Sequence, residues 1–355
     1  MFHNVQDRLL NWWSNGDQAR PCMLVNSRFH EKGTMDCEQV SLDDYWLNPA
    51  CHVRRAFANI SCKRYFGEAL PYHYVDFGAS TLCGMQGCKT NYSTKETIWV
   101  DARYGSLEDA LNASIDDSLL FTKQVHEVFE LIASKLHGYA LVAPYCFGSP
   151  CDNLAGLIGT ENLIYSLYDN PRLLEQVLVK QLGIWMDELD YVTSILKPSH
   201  LQPMTAWHGI LAPGSTFAIQ EDIGYMLGDE HYNRFCLPGI YDMVDRLEYP
   251  FFHLDGVGAL KHLDALLAID KLKVIQWQPG EGHMQATQWY EVVTKILTAG
   301  KSCQLYVQPE EVAPLVDRVG AKGLLLIIDT DETRALKLVK QYNLEENMVS
   351  EVFTQ

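Results

Sequence analysis

Eight short apolar runs, separated by longer stretches of helical periodicity, restrict what this chain can fold into. The runs are Pro21 to Asn26, His73 to Phe77, Tyr139 to Pro144, Gln202 to His208, Phe251 to Asp255, Lys273 to Trp277, Cys303 to Gln308 and Gly323 to Asp329. Each has the length and composition of a buried strand. Between them lie amphipathic patterns with recognisable ends. Asp116 to His137 stops at Gly138, a residue suited to a left-handed cap. Asp169-Asn170-Pro171 opens a helix to about Leu196, where Lys197-Pro198 ends it. Gly228 to Leu247 is helical with a break at Pro238-Gly239, and further helices span Thr287 to Gly300, Pro309 to Val319 and Asp331 to Tyr342.

Strands alternating with helices predict a parallel sheet, and eight repeats predict the α/β class with a (β/α)8 TIM barrel. An open doubly wound sheet would show an early glycine-rich phosphate turn, and none is present. No linker rich in Pro, Gly or Ser divides the chain, so a single barrel domain over 1–355 is expected, with 1–20 as an N-terminal helical extension. The uneven gaps predict extra helices or lid loops after strands 1, 2 and 4.

Charge narrows the partners. The chain carries 28 Lys+Arg against 45 Asp+Glu, a formal charge of −17, with no basic cluster. That balance excludes nucleic acid and anionic membrane as expected partners and disfavours a highly anionic substrate. No run of 18 apolar residues is present, so no membrane span is predicted. Met1 to Gly16 has no apolar core leading to a small-residue cleavage site, so no secretory signal is expected. The ten cysteines include no CxxC pair and are scattered as in a reduced, cytoplasmic protein.

In a barrel the active site lies where the strands end. That rule selects Asn26, Asp76, Tyr145, Trp207, His208, His253, Asp255, Gln278, Gln308, Glu310 and Asp329. Tyr249 to Gly258 is the most informative stretch. His253 and Asp255 stand two apart, so on a strand they point to the same side. An imidazole and a carboxylate aimed together suit a metal ion or a proton-transfer pair. His208 is a candidate acid/base or further ligand, and equally a hydrogen-bonded barrel histidine. Glu281 and His283 lie in a glycine-flanked loop that could fold over the mouth or simply turn the chain. Glu310 could touch substrate or sit in the first turn of a helix, where a carboxylate suits the dipole. Tyr145 is expected to face the pocket and Cys146 to pack; Asp222 reads as a helix cap.

Several segments, in order, carry a likeness. They are Ala69-Leu-Pro-Tyr72 with Asp76-Phe-Gly78, Ala143-Pro-Tyr-Cys-Phe-Gly-Ser-Pro150 with Ala155-Gly-Leu-Ile-Gly159, Tyr168-Asp-Asn-Pro171, Gln220-Glu-Asp-Ile-Gly-Tyr-Met226, Phe252-His-Leu-Asp-Gly256, Ile275-Gln-Trp-Gln-Pro-Gly280, and Gly323-Leu-Leu-Leu-Ile327 before Asp329. Over residues 65 to 345 the chain resembles the uroporphyrinogen decarboxylase-like family, which includes methyltransferases acting on corrinoids or thiols. The resemblance implies a (β/α)8 barrel. It departs from true uroporphyrinogen decarboxylases, whose arginine-rich Met-Arg-Gln-Ala-Gly-Arg segment is here Val25-Asn-Ser-Arg-Phe-His30. A polycarboxylate substrate needs cationic partners that this segment lacks. Asp76 matches the family's pyrrole-binding aspartate. The family's zinc methyltransferases carry His-x-Cys after the fifth strand and a Cys after the eighth. The matching positions here are His253-Leu-Asp255 and Asp329 (or Thr330).

The resemblance therefore implies a His253/Asp255/Asp329 set for Zn²⁺ or another divalent metal such as Mn²⁺. The leading expectation is metal-assisted methyl transfer between a small methylated substrate and a folate or a corrinoid carried on a partner protein. Asp76, His208 and Glu281 would be catalytic, with Asn26, Tyr145, Trp207, Gln278, Gln308 and Glu310 around the substrate. The alternatives are a decarboxylase or other lyase acting on a small acid, with Asp76 opposite Arg28, Arg54 or Arg55, and a non-catalytic ligand-binding barrel.

Overall fold

The computed structural model describes residues 3–28, 40–199 and 202–347. Its strands, in chain order, are β1 Cys22–Arg28, β2 Lys63–Gly67, β3 Tyr72–Tyr74, β4 Lys89–Asn91, β5 Trp99–Asp101, β6 Leu141–Ala143, β7 Thr216–Gln220, β8 Tyr249–Asp255, β9 Val274–Gln278, β10 Ser302–Tyr306, β11 Leu324–Asp331 and β12 Glu346–Asn347. One eight-stranded sheet has the order β12-β2-β1-β11-β10-β9-β8-β7, and β3 pairs with β6 beside it. From β7 to β11, and on to β1, every pairing is parallel. Within this sheet β2 and β12 are the antiparallel strands. The protein is therefore α/β with a mostly parallel sheet.

The strand sequence β1, β3, β6, β7, β8, β9, β10, β11 is the order of a (β/α)8 barrel, and β1 joins β11 as first to last. The hydrogen-bonded ring is not closed among the described residues. β2 occupies the free edge of β1, and no ladder joins β6 to β7. β3 and β6 are three residues each, too short to extend pairing to both neighbours.

Period-two alternation builds the interior. Inward residues Cys22, Leu24, Leu141, Ala218, Phe251, Val274, Leu325 and Ile327 form one apolar cluster. Outward residues such as Met23, Val25, Ile219, Phe252, Ile275, Leu305 and Leu326 pack in the helical layer. Further along the same inward rows the side chains become polar: Asn26, Gln220, His253, Gln276 and Gln304. The sequence thus fills the strand starts with hydrocarbon and reserves the strand ends for chemistry.

The N-terminal extension is a helix, His3–Trp13, that seals the apolar end. Trp12 and Trp13 are buried there and donate to the carbonyls of Gly323 (2.9 Å) and Leu211 (3.0 Å). Fully buried Glu68 binds Arg8, Arg20 and the Met23 amide (2.6 Å), tying extension, β1 and β2 together.

The fourth expected strand is corrected. Gln202 to His208 belongs to a loop in which Met204 bridges Ala212; the strand is Thr216–Gln220. Pro203 cannot donate to a ladder, and Gly209 at φ +74° turns the chain back, so residues 204–212 pack inside the sheet as a plug. Extra elements do follow the first and second strands. They are Leu42–Leu47 and Pro49–Ser61 after β1, and Thr81–Met85 with the β4–β5 hairpin after β3. After β7 the extra elements are short, the 3-10 helix Asp222–Met226 and the single turn Asp229–His231. Two further helices not expected from the gaps, Pro150–Ile158 and Thr160–Asp169, follow β6 and precede the long helix Pro171–Leu196. The break at Pro238 takes the form of a π-helical turn, Tyr232–Cys236, before the helix Leu237–Arg246. No helix among the described residues is long and apolar enough to cross a membrane.

Candidate active site

A cleft of about 570 Å³ opens at the strand ends, lined by Tyr74, Asp76, Glu96, Cys146, Trp207, Gln220, Asp222, His253, Gln278 and Tyr306, with small residues between them. It has three carboxylates, one imidazole, two tyrosines and a tryptophan, and no lysine or arginine in its lining. A wider hollow of about 810 Å³ lies between the outer helices around Tyr290 and Arg318, away from the strand ends.

β8 supplies the central pair. His253 Nε2 lies 3.9 Å from Asp255 Oδ2. On its other side, His253 Nδ1 is bound to Oε1 of Gln276 on β9, and Gln276 Nε2 donates to Oε1 of Gln304 on β10. The amide of Gln276 thus presents its oxygen to the ring, which sets the proton on Nδ1 and leaves the Nε2 lone pair toward Asp255. Burial pulls the His253 pKa below its ordinary value, against the opposing pull of Asp255, so the ring is neutral and can act as ligand or base. Asp255 Oδ1 is buried with no hydrogen-bond partner. The Trp207 ring stands edge-on to His253 at 5.0 Å between centroids.

Two further carboxyls face the cleft. Asp76 Oδ1 accepts from the Gly78 amide (2.8 Å), and burial raises its pKa despite that bond, the charge of Arg55 and a hydrogen bond from Tyr74. Asp222 accepts from Gln220 Nε2 (2.8 Å) and is pushed up to about 8, by burial first and then by Asp152 and Asp255. Asp152 accepts in turn from the amides of Asp222 (3.1 Å) and Ile223 (2.8 Å).

Of the residues expected from sequence, Asp76, Trp207, Gln278 and His253 line the cleft, with Asp255 beside His253. His208 lies underneath, its ring 4.2 Å from that of Phe251, with Nδ1 accepting from the Ile210 amide (3.0 Å). Asn26 is buried on the inner face of β1, outside the lining. Tyr145 is turned away: β6 ends at Ala143, and the tyrosine hydroxyl binds Glu188 on the long helix, leaving Cys146 to face the cleft. Gln308 is an exposed cap whose amide binds Glu311 (2.6 Å). Glu310 is exposed and paired with Arg334, the helix-terminus reading. Glu281 and His283 lie in an exposed turn outside the cleft lining.

Asp329 does not join His253. It sits three strands away on β11, about 14 Å along the sheet by strand spacing. Its charge acts on Lys63, Tyr72 and Tyr306 instead. Lys63 comes from the inserted strand β2, so the carboxylate has a cationic neighbour of its own. Reading from sequence missed Tyr74, Gln220, Tyr306 and the role of Asp222. Counting by twos from Gln304 finds Tyr306; Gln220 and Asp222 were hidden by the misplaced fourth strand.

Fold and site together define an α/β protein whose acidic, aromatic cleft sits at the ends of parallel strands. Among solved structures it is similar to a methyltransferase from Methanosarcina mazei, with a TM-score of 0.61 at 14% identity over 96% of this chain and 98% of that one. The two share a fold. No protein-family model matches the chain, and no curated protein is significantly similar in sequence.

Proposed function

We propose that the cleft is an enzyme active site for methyl transfer between a small methylated substrate and a corrinoid or folate carrier, on a (β/α)8 barrel of the uroporphyrinogen decarboxylase-like kind. The observation that carries this reading is the pairing of a neutral His253, its Nε2 lone pair directed at Asp255, with an unpartnered Asp255 oxygen at the strand ends. A fold shared with a methyltransferase supports it.

The donors fit a divalent cation: His253 and Asp255 would hold it, while Asp329 stands apart. A bound Zn²⁺ or Mn²⁺ would supply Lewis-acid polarisation of the substrate's heteroatom. The chain's own groups do the rest. Asp222, protonated at neutral pH, donates to the departing heteroatom, and Asp76 binds a cationic or N–H group across the cleft. Trp207, Tyr74 and Tyr306 offer ring faces to a methylated cation. With no cation in its lining, the cleft favours methylated amines and ethers over acids. The lyase reading needs a basic residue facing Asp76. Arg55 reaches Asp76 only through its charge: its guanidinium is stacked on Tyr45 at 3.8 Å, bonded to His52 and absent from the cleft lining, so the lyase reading is the weaker one. The unpaired, buried Asp255 oxygen beside the cleft residue His253 counts against a purely structural barrel. A cytoplasmic setting and a docking corrinoid protein complete the proposal.

The test is a panel of methylated amines, ethers and thiols, offered to zinc- or manganese-loaded protein with cob(I)alamin or tetrahydrofolate and followed by methylcobalamin absorbance or methylfolate formation. Transfer from an amine or ether supports the proposal. No transfer to either carrier across the panel overturns it.

A further inference from the structure

A second cluster lies behind the cleft wall. At the end of β7 the side chains alternate: Gln220 and Asp222 line the cleft, while Glu221 is buried in the layer between sheet and helices. There it meets Cys151 and Cys236, all three no more than 5% exposed. One ligand atom from each lies within 4.8 Å of the others, and the two sulfurs are 3.6 Å apart. Among the described residues this is the one such group of three. The Glu221 carboxylate accepts from Ser149 Oγ, at 2.8 Å. A carboxylate and two thiols gathered away from water are costly unless something compensates them.

We propose that Cys151, Glu221 and Cys236 form a zinc site, independent of the reading of the cleft. The spacing supports it. Zinc–sulfur bonds of about 2.3 Å at a tetrahedral angle put two thiolates about 3.8 Å apart, close to the distance seen, whereas a disulfide brings sulfurs to about 2.05 Å. A zinc–oxygen bond of about 2.1 Å puts the carboxylate oxygen about 3.6 Å from each sulfur, against separations of no more than 4.8 Å in the present arrangement. The fourth position faces a cavity of about 240 Å³ that all three residues line, with room for a water ligand and a path of entry.

The local sequence builds the site. Ser149 and Asp152 form a capping box around Pro150, which sets Cys151 in the first turn of a nine-residue helix. Cys236 closes the π-helical turn Tyr232–Cys236, a distortion that recurs at functional positions. Zinc binding displaces one proton from each thiol and any proton held by Glu221, so affinity rises with pH. The metal would be structural. It pins Glu221 between two cleft residues, and Asp152, next to Cys151, already holds the Asp222 and Ile223 amides.

The experiment uses the full chain, stripped with a chelator under reductant and titrated with Co²⁺ and then Zn²⁺. One equivalent of Co²⁺ gives thiolate-to-cobalt charge-transfer absorption that Zn²⁺ abolishes. Cys151→Ser and Cys236→Ser lose the band, Glu221→Gln weakens binding at least ~10-fold, and His253→Ala keeps it, because the proposed cleft ligands, His253 and Asp255, carry no thiol. Should the cysteine variants fail to fold, the wild-type protein still decides: zinc must protect Cys151 and Cys236 from alkylation, read by peptide mass. A missing charge-transfer band, a band that survives in the double cysteine variant, or alkylation unaffected by zinc overturns the site.

Discussion

Oε1 of Gln276 is bound to Nδ1 of His253, and the same amide donates to Gln304, so one glutamine orients the imidazole at the centre of the cleft. Replacing Gln276 by Leu frees the ring to rotate and to change tautomer. By analogy with other supports behind ligand and base histidines, we expect about a 10–100-fold fall in kcat/KM, mostly in kcat. Gln276→Glu keeps an acceptor at Nδ1 and should retain more activity, with a pH profile shifted upward because the carboxylate favours imidazolium. Equal losses in both variants would argue that Gln276 only packs.

Three of the buried histidines lie far below the ordinary range. Burial, the first cause in each case, brings His52, His73 and His208 to about 3. An unfolded histidine takes up its proton near pH 6.5, so between about 6.5 and 3 the unfolded chain binds more protons and the folded state loses stability as pH falls. Each contributes up to about 1.4 kcal/mol per pH unit in that window. Urea unfolding at pH 7 and pH 5 should show a lower midpoint at pH 5, with proton uptake on unfolding.

Asp222 acts in the opposite direction. Its folded carboxyl titrates at about 8, against about 3.9 when unfolded, so from pH 4 to 8 the folded state binds the extra proton and this contribution is lost as pH rises. Asp222→Asn removes the penalty. Its Tm relative to wild type should increase from pH 5 to pH 8, and a constant difference would show that Asp222 is ionised throughout.

Most of the architecture was legible because the strands are short apolar runs bounded by Pro, Gly and polar residues. The positions of β8 to β11 follow from that pattern, and so does the helix Pro171–Leu196. The fourth strand was not. Gln202 to His208 has strand-like composition, but a plug inside a sheet is as buried as a strand, and composition cannot separate them. That error concealed Gln220 and Asp222. Tyr145 and Cys146 exchanged places because β6 ends two residues before the tyrosine, where alternation no longer holds. Asp329 was matched to His253 by position at the strand ends, but the Lys63 that neighbours it arrives on an inserted strand no motif announced.

Glu68 is the strongest structural test. It is fully buried and takes Arg8, Arg20 and the Met23 amide. Glu68→Ala leaves Arg20 without its carboxylate, Arg8 with only the longer pair to Glu345 (3.7 Å) and the Met23 amide unpaired, and should cost about 1–3 kcal/mol in chemical denaturation. No measurable loss would mean that the N-terminal helix is held by its apolar face, Val5, Leu9, Trp12 and Trp13.

The central claim is that His253 does the chemistry of the cleft. Its most direct test is methyl transfer to cob(I)alamin by His253→Ala beside Glu310→Gln, a variant of a surface carboxylate paired with Arg334. With folding verified by cooperative unfolding, the first should lose at least ~10²-fold in kcat/KM, the scale of a lost ligand or general base, and the second should match wild type. Undiminished transfer by His253→Ala would contradict the account.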